Sequence, residues 1–70
     1  MMTTRDEMFA VLNQLGLEAP EMRFGQLIAN VATLALGAKP EAVWDAEDEE
    51  MLAAARRLLD HYHARKANVA

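Results

Sequence analysis

The chain has two prolines, Pro20 and Pro40, and each follows a glycine, Gly16 or Gly37, by three or four residues. Glycine closes helices by adopting a left-handed C-cap, and proline cannot sit in a helix interior. Between these breakers the apolar residues recur at helical spacing and never alternate as in a strand. The breakers therefore cut the chain into three helical segments. With no strand to pack on, such segments bury their apolar faces only against one another.

In the first segment, Thr4 is the expected N-cap of a capping box that Glu7 completes. Met8, Val11, Leu12 and Leu15 then fall on one face, which Phe9 widens. Gly16 reads as the stop, with Leu17 folding back onto the last turn, so the helix is expected over 5–15. Pro20 suits a helix start, and Phe24, Leu27, Ile28, Val31, Leu34 and Ala35 carry the period to Gly37, giving a second helix over 21–36. Residues 40–44, which include the single tryptophan Trp44, predict a short helical turn. Asp45 reads as the N-cap of a third helix over 46–66, with Glu47, Asp48, Glu49 and Glu50 at the end where the helix dipole favours anions. Its apolar face is Met51, Leu52, Ala55, Leu58, Leu59 and Tyr62, and Arg65 and Lys66 stand at the end that favours cations. Residues 1–3 and 67–70 are expected to fray. The expected fold is a compact all-α three-helix bundle forming a single domain over 1–70.

Size makes stability the next constraint. A chain of 70 residues buries only about 60% of its unfolded surface. With no cysteine it has neither disulfides nor thiolate metal ligands, so helix packing or self-association must supply what is missing. A hydrophobic fraction of 53% is too high for disorder. The net charge of −4 repels nucleic acid and anionic membranes. The start of the chain shows no secretory pattern, and the uncharged stretch 24–38 is short for a membrane span. A soluble, cytoplasmic protein is expected.

The second helix is the most apolar, and Gly25, Ala29 and Ala32 give it a row of small residues where another backbone could approach. It is therefore expected at the centre. Its polar residues, Arg23, Gln26, Asn30 and Thr33, form one row. The favoured reading makes this row a structural lock, with Gln26 and Asn30 bound to backbone at neighbouring helix ends; the other makes it an outward contact site. A buried amide left unpaired costs about 1–3 kcal/mol.

The run Arg23-Phe24-Gly25-Gln26-Leu27-Ile28-Ala29-Asn30, followed by Trp44 and then Glu47-Asp48-Glu49-Glu50-Met51-Leu52, resembles a pattern in small uncharacterised bacterial helical proteins. There, R-x-G-Q-L-[IL]-x-N precedes an aromatic residue and an acidic helix start. The resemblance covers a little over half the chain and implies a helical domain without implying an activity. It also suggests that Arg23 pairs with the acidic turn or caps the first helix.

The remaining constellations point away from chemistry. His61 and His63 are two apart and leave a helix on opposite sides, so they cannot share a metal ion. The acidic run 45–50 lacks the glycine and distal acid of a calcium loop. The chain has no serine and no phosphate-binding motif, and its threonines stand far from its histidines. No catalytic set, cofactor, metal or small-molecule substrate is expected. Arg56, Arg57, Arg65 and Lys66 could contact phosphates, and a nucleic-acid-associated module is the competing reading. The acids lack basic residues four positions on, so Trp44, Asp45, Glu47, Asp48, Glu49 and Glu50 are the expected protein-contact residues. Acids and bases gather at opposite ends of the third helix, which would let two copies pair antiparallel as a homodimer. The expectation is thus a non-catalytic interaction module or accessory subunit that contacts a protein partner or itself.

Overall fold

The computed structural model describes residues 1–68. Four helices follow one another: α1 (Thr4–Glu18), α2 (Phe24–Leu36), the single turn α3 (Ala42–Asp45) and α4 (Asp48–Asn68). The all-α bundle expected from the breakers is present, with three long helices and one short turn. The helix bounds differ from the expected ones in ways that local chemistry explains.

The three long helices start alike. Thr3, not Thr4, is the N-cap of α1: its Oγ1 accepts from the Asp6 N–H at 3.1 Å, and the Asp6 carboxylate accepts from the Thr3 N–H at 3.1 Å. The capping box is present one residue earlier than expected, with Asp6 in the place given to Glu7. In α2 the Gln26 Oε1 accepts from the Arg23 N–H at 2.9 Å. At α4 the Glu50 Oε1 accepts from the Glu47 N–H at 2.8 Å, and the Glu47 carbonyl takes the Met51 N–H. Each start thus uses the half of the box in which the third helical side chain returns to the cap residue.

Both prolines do the same work, and it is not helix initiation. The Met22 N–H donates to the Ala19 carbonyl and the Ala42 N–H to the Lys39 carbonyl, each at 3.1 Å. Pro20 and Pro40 therefore occupy the second position of a β-turn, which their fixed φ favours. This is why α2 begins at Phe24 rather than at Pro20 or Glu21. Ala46 is extended (φ −70°, ψ 128°) and Asp45 closes α3, so the expected cap of the third helix belongs to the turn before it.

Gly37 ends α2 as expected, with φ 94° and its N–H on the Thr33 carbonyl at 2.7 Å. Gly16 does not end α1. The helix runs through it to Glu18, because Leu15 and Ala19 are buried and the Ala19 N–H caps the Leu15 carbonyl. Glycine inside a helix costs about 1 kcal/mol relative to alanine, and this packing offsets it. Leu17 stays exposed instead of folding back. At the other end α4 continues to Asn68, so helix covers residues 67 and 68 where fraying was expected; residues 69–70 lie outside the described part.

The core joins Met8, Val11 and Leu15 of α1, Leu27 and Val31 of α2, and Leu52, Ala54, Ala55 and Leu59 of α4. Helix α4, not α2, is central: it packs along both α1 and α2, which touch each other little. The close approach occurs at Ala54 and Ala55, both without exposed surface, while Gly25 and Ala29 of α2 face outward. The α3 turn packs on α2 through the buried Ala42. Arg5 at the start of α1 meets Asp48 at the start of α4, and Glu18 at the end of α1 meets Lys66 near the end of α4. Helices α1 and α4 therefore run in the same direction.

The cap assignment is testable. Thr3→Ala is expected to cost about 1 kcal/mol in urea unfolding and Thr4→Ala about 0.5 kcal/mol or less. The reverse order would restore Thr4 as the cap.

Candidate functional site

No polar or charged residue among those described is buried. The row Arg23, Gln26, Asn30 and Thr33 is exposed along its length, so it is not the core lock that the sequence suggested. Helix α2 turns Leu27, Val31 and Ala32 inward, which leaves the polar row on the opposite side. Gln26 does bind backbone, but that of its own N-cap. The Asn30 amide lies 3.4 Å from the Met22 sulfur, a weak contact beside solvent.

The acidic turn is partly engaged within the chain. Asp48 accepts from Arg5 through Nε (3.1 Å) and Nη2 (2.9 Å). Glu50 is used in the start of α4. Asp48 and Glu50, expected to await a basic partner, are thus engaged, and the arginine that meets this turn is Arg5 rather than Arg23. Asp45, Glu47 and Glu49 are exposed and have no ion pair among the described residues. Next to them Trp44 is 81% exposed and Val43 48% exposed, both on α3.

Three of the four basic residues of α4, Arg56, Arg57 and Lys66, have partners within the chain, whereas Arg65 is exposed and has no ion pair among the described residues. Arg56 lies 3.4 Å from Glu7. Arg57 donates to the Leu34 carbonyl at 2.9 Å. That carbonyl is among the last four of α2, which lack helical partners and carry the negative end of the dipole. Lys66 reaches Glu18 at 2.6 Å, with His63 at 3.4 Å on the other carboxylate oxygen. His63 thus pairs across to α1 rather than with Asp60. His61 lies on the other side of α4, edge-on to Tyr62 at 6.1 Å, in a shallow groove with Leu34, Arg57 and Leu58. The two histidines diverge as their spacing requires. Among the described residues no three histidine or carboxylate side chains gather as metal ligands.

Residue-level reading missed one feature. Phe9, Leu12, Asn13, Gly16 and Leu17 of α1 meet Phe24 and Leu27 of α2 around an open groove of about 340 Å³. Phe9 is 63% exposed, Leu17 74% and Phe24 68%. Periodicity had placed Phe9 and Phe24 on core faces. The signal available in the sequence was that α1 carries two apolar stripes, Met8-Val11-Leu15 and Phe9-Leu12-Gly16, and one helix neighbour covers only one of them.

No helix among the described residues is long and apolar enough to cross a membrane. The fold and surface define a small all-α domain. No protein-family profile, curated protein or solved structure matches the chain.

Two measurements test this surface. Asn30→Ala is expected to leave unfolding within about 0.5 kcal/mol of wild type, as at solvent-facing positions; a larger loss would put the amide back into a packed setting. Glu18 carries the pH-dependent contact. The Lys66 ammonium, helped by His63, holds its carboxyl below the ordinary value, although partial desolvation opposes this. The folded state therefore favours the ionised form. Its contribution is present above the unfolded-state pKa, near the ordinary 4.5, and is lost as pH falls through the folded value. Glu18→Gln is expected to be less stable than wild type at pH 7, with the two curves converging as pH falls through the lowered folded-state value and the gap narrowing in high salt. A gap that persists at low pH would remove the ion pair as its cause.

Proposed function

We propose that this chain is a small, non-catalytic, cytoplasmic protein-interaction module or accessory subunit. The observation that carries the reading is the amount of large apolar side chain left outside: Phe9, Leu17, Phe24, Leu34, Val43 and Trp44 are all exposed around a core of twelve buried residues among those described. Exposed apolar side chains gathered in patches mark contact surfaces. Tryptophan is the residue type most often found anchoring an interface.

On α3, Trp44 and Val43 stand beside Asp45, Glu47 and Glu49. A partner suited to this surface offers an apolar pocket rimmed by lysine or arginine. Trp44 supplies the buried contact, and the carboxylates steer approach and set orientation. The nucleic-acid alternative draws less support, because Arg56, Arg57 and Lys66 already have partners within the chain. Opposed to that alternative as well is the net charge of −4. The resemblance of residues 23–30 and 47–52 to small bacterial helical proteins accords with a compact accessory domain.

The test is retention of a partner from the native source by wild type and by Trp44→Ala. Wild type is expected to retain a protein that the variant loses, with retention weakening as salt rises. Equal retention by both would move the contact away from α3. Retention on DNA with a steep salt dependence would favour the competing reading.

A further inference from the structure

We infer that Trp44 and its flanking carboxylates dock on a second copy of this chain, in the cation-edged hollow where the end of α2 meets α4, and that two copies exchange this contact about a two-fold axis. This deepens the protein-contact reading of α3, rests on it, and names the partner.

The surface around Trp44 asks for an apolar pocket with a basic rim, and the same chain carries one. Leu34, in the last turn of α2, and Leu58 of α4 line a hollow of about 340 Å³ together with Arg57 and His61. That volume stands at the low end of the roughly 300–1,000 Å³ in which small organic groups bind, a scale that suits a single indole. Leu58 is half-buried, while Arg57 and His61 are exposed, so apolar surface lies between a charged edge and a chargeable one. Neither half of the contact is used within the chain: Trp44 is 81% exposed and Leu34 42%.

Charge picks the occupant. On α4, Arg56 is met by Glu7 and Lys66 by Glu18. Arg57 is met by no carboxylate among the described residues; its partner is the neutral Leu34 carbonyl, at 2.9 Å through Nη2. Arg65 also lacks an ion pair but stands two turns further on, outside the hollow. On the other side of the ledger, Asp45, Glu47 and Glu49 follow Trp44 and have no ion pair among the described residues. A cation without an anion and anions without a cation thus stand on one chain, each beside an exposed apolar side chain. Two copies at net charge −4 repel overall. Seating these acids on Arg57 reverses the sign where the copies touch, whereas a basic partner would be turned away from the hollow.

The chemistry of the two halves also matches. A guanidinium is flat and stacks on aromatic faces, tryptophan best of all, and the N–H groups of Arg57 not bound to Leu34 can take a carboxylate. A buried indole N–H needs an acceptor, and the Leu34 carbonyl keeps a second lone pair for one. Helix α3 packs only on α2, and the hollow lies where α2 meets α4, so both patches belong to the α2 side of the bundle. A two-fold axis then sets each indole in the other copy's hollow and closes the pair, leaving neither patch to recruit a third copy.

Sedimentation equilibrium from about 1 μM to about 1 mM, a span that brackets ordinary dimer affinities, with tryptophan emission read on the same samples, provides the test. Trp44 is the single tryptophan, so emission reports on this contact alone. Wild-type mass is expected to rise from 7.8 kDa toward twice that value, with emission shifting to the blue in step. Trp44→Ala and His61→Glu are each expected to weaken association about tenfold or more. His61→Glu sets a carboxylate against the incoming acids and leaves the bond from Arg57 to Leu34 in place. Asn30→Glu, the same added charge on the outer side of α2, is expected to change little. In a mixture of Trp44→Ala with His61→Glu, the indole of one variant meets the intact hollow of the other, so the mixture is expected to associate more tightly than either alone. A mixture no tighter than its components overturns the pairing of these two patches. So does a rise in mass without a shift in emission, or a mass that climbs past the dimer. A wild type that stays at 7.8 kDa yet retains a foreign protein through Trp44 overturns the self-pairing and leaves the protein-contact reading standing. A monomer that retains nothing through Trp44 removes both.

Discussion

Helix α4 is the one element that both other long helices need. Leu52 and Leu59 supply its apolar bulk, and Ala54 and Ala55 let neighbouring backbones come close. Because α1 and α2 make little contact with each other, each depends on α4 for the burial that stabilises it. The departures from simple helix punctuation trace to this arrangement. Helix α1 continues past Gly16 because Leu15 and Ala19 are buried, and this sets Glu18 beside Lys66 and His63. The end of α2 is held by Arg57 through an otherwise unpartnered carbonyl. Asp48 turns toward Arg5 because the two helices start together.

That geometry also sorts the surface. Asp48, Arg56, Arg57 and Lys66 of α4 are turned toward α1 and α2, where each exposed pair contributes little beyond orientation. Apolar residues are left outside in their place. With α4 covering a single side of α1, the stripe of Phe9, Leu12 and Gly16 opens onto the start of α2 as a groove. Trp44 is left outside for a different reason: α3 is one turn long, and a single turn can bury one face only, which Ala42 takes.

Much of the local structure was legible. The apolar face of α4 could be read from its period, and only Ala54 was missed. The box at the start of α1 was visible as a pair three residues apart, although two adjacent threonines and two adjacent acids left its register ambiguous by one; the returns of Gln26 to Arg23 and of Glu50 to Glu47 were not read from the sequence. Thr3 with Asp6 satisfies the same pattern as Thr4 with Glu7, and hydrogen bonding decides between them. The prolines were legible as breakers but not as turn residues, since a helix start and the second position of a β-turn ask for nearly the same φ. The polar row on α2 was visible as a row, yet its direction was not. A helix apolar over more than half its circumference does not say which part its neighbours cover.

The sequence by itself determined that this protein is helical, that prolines and Gly37 separate its helices, and that a chain of this size without cysteine would have a thin core. Those properties are local, or follow from counting. Only the tertiary structure decided that α4 is central, that Arg23, Gln26, Asn30 and Thr33 face solvent, and that Phe9 and Phe24 lie on a groove rather than in the core. The reason is physical. Amphipathicity records which face of a helix prefers to leave water, but in a chain with more apolar face than neighbours to cover it, the packing of α1 and α2 on α4 chooses which faces remain outside.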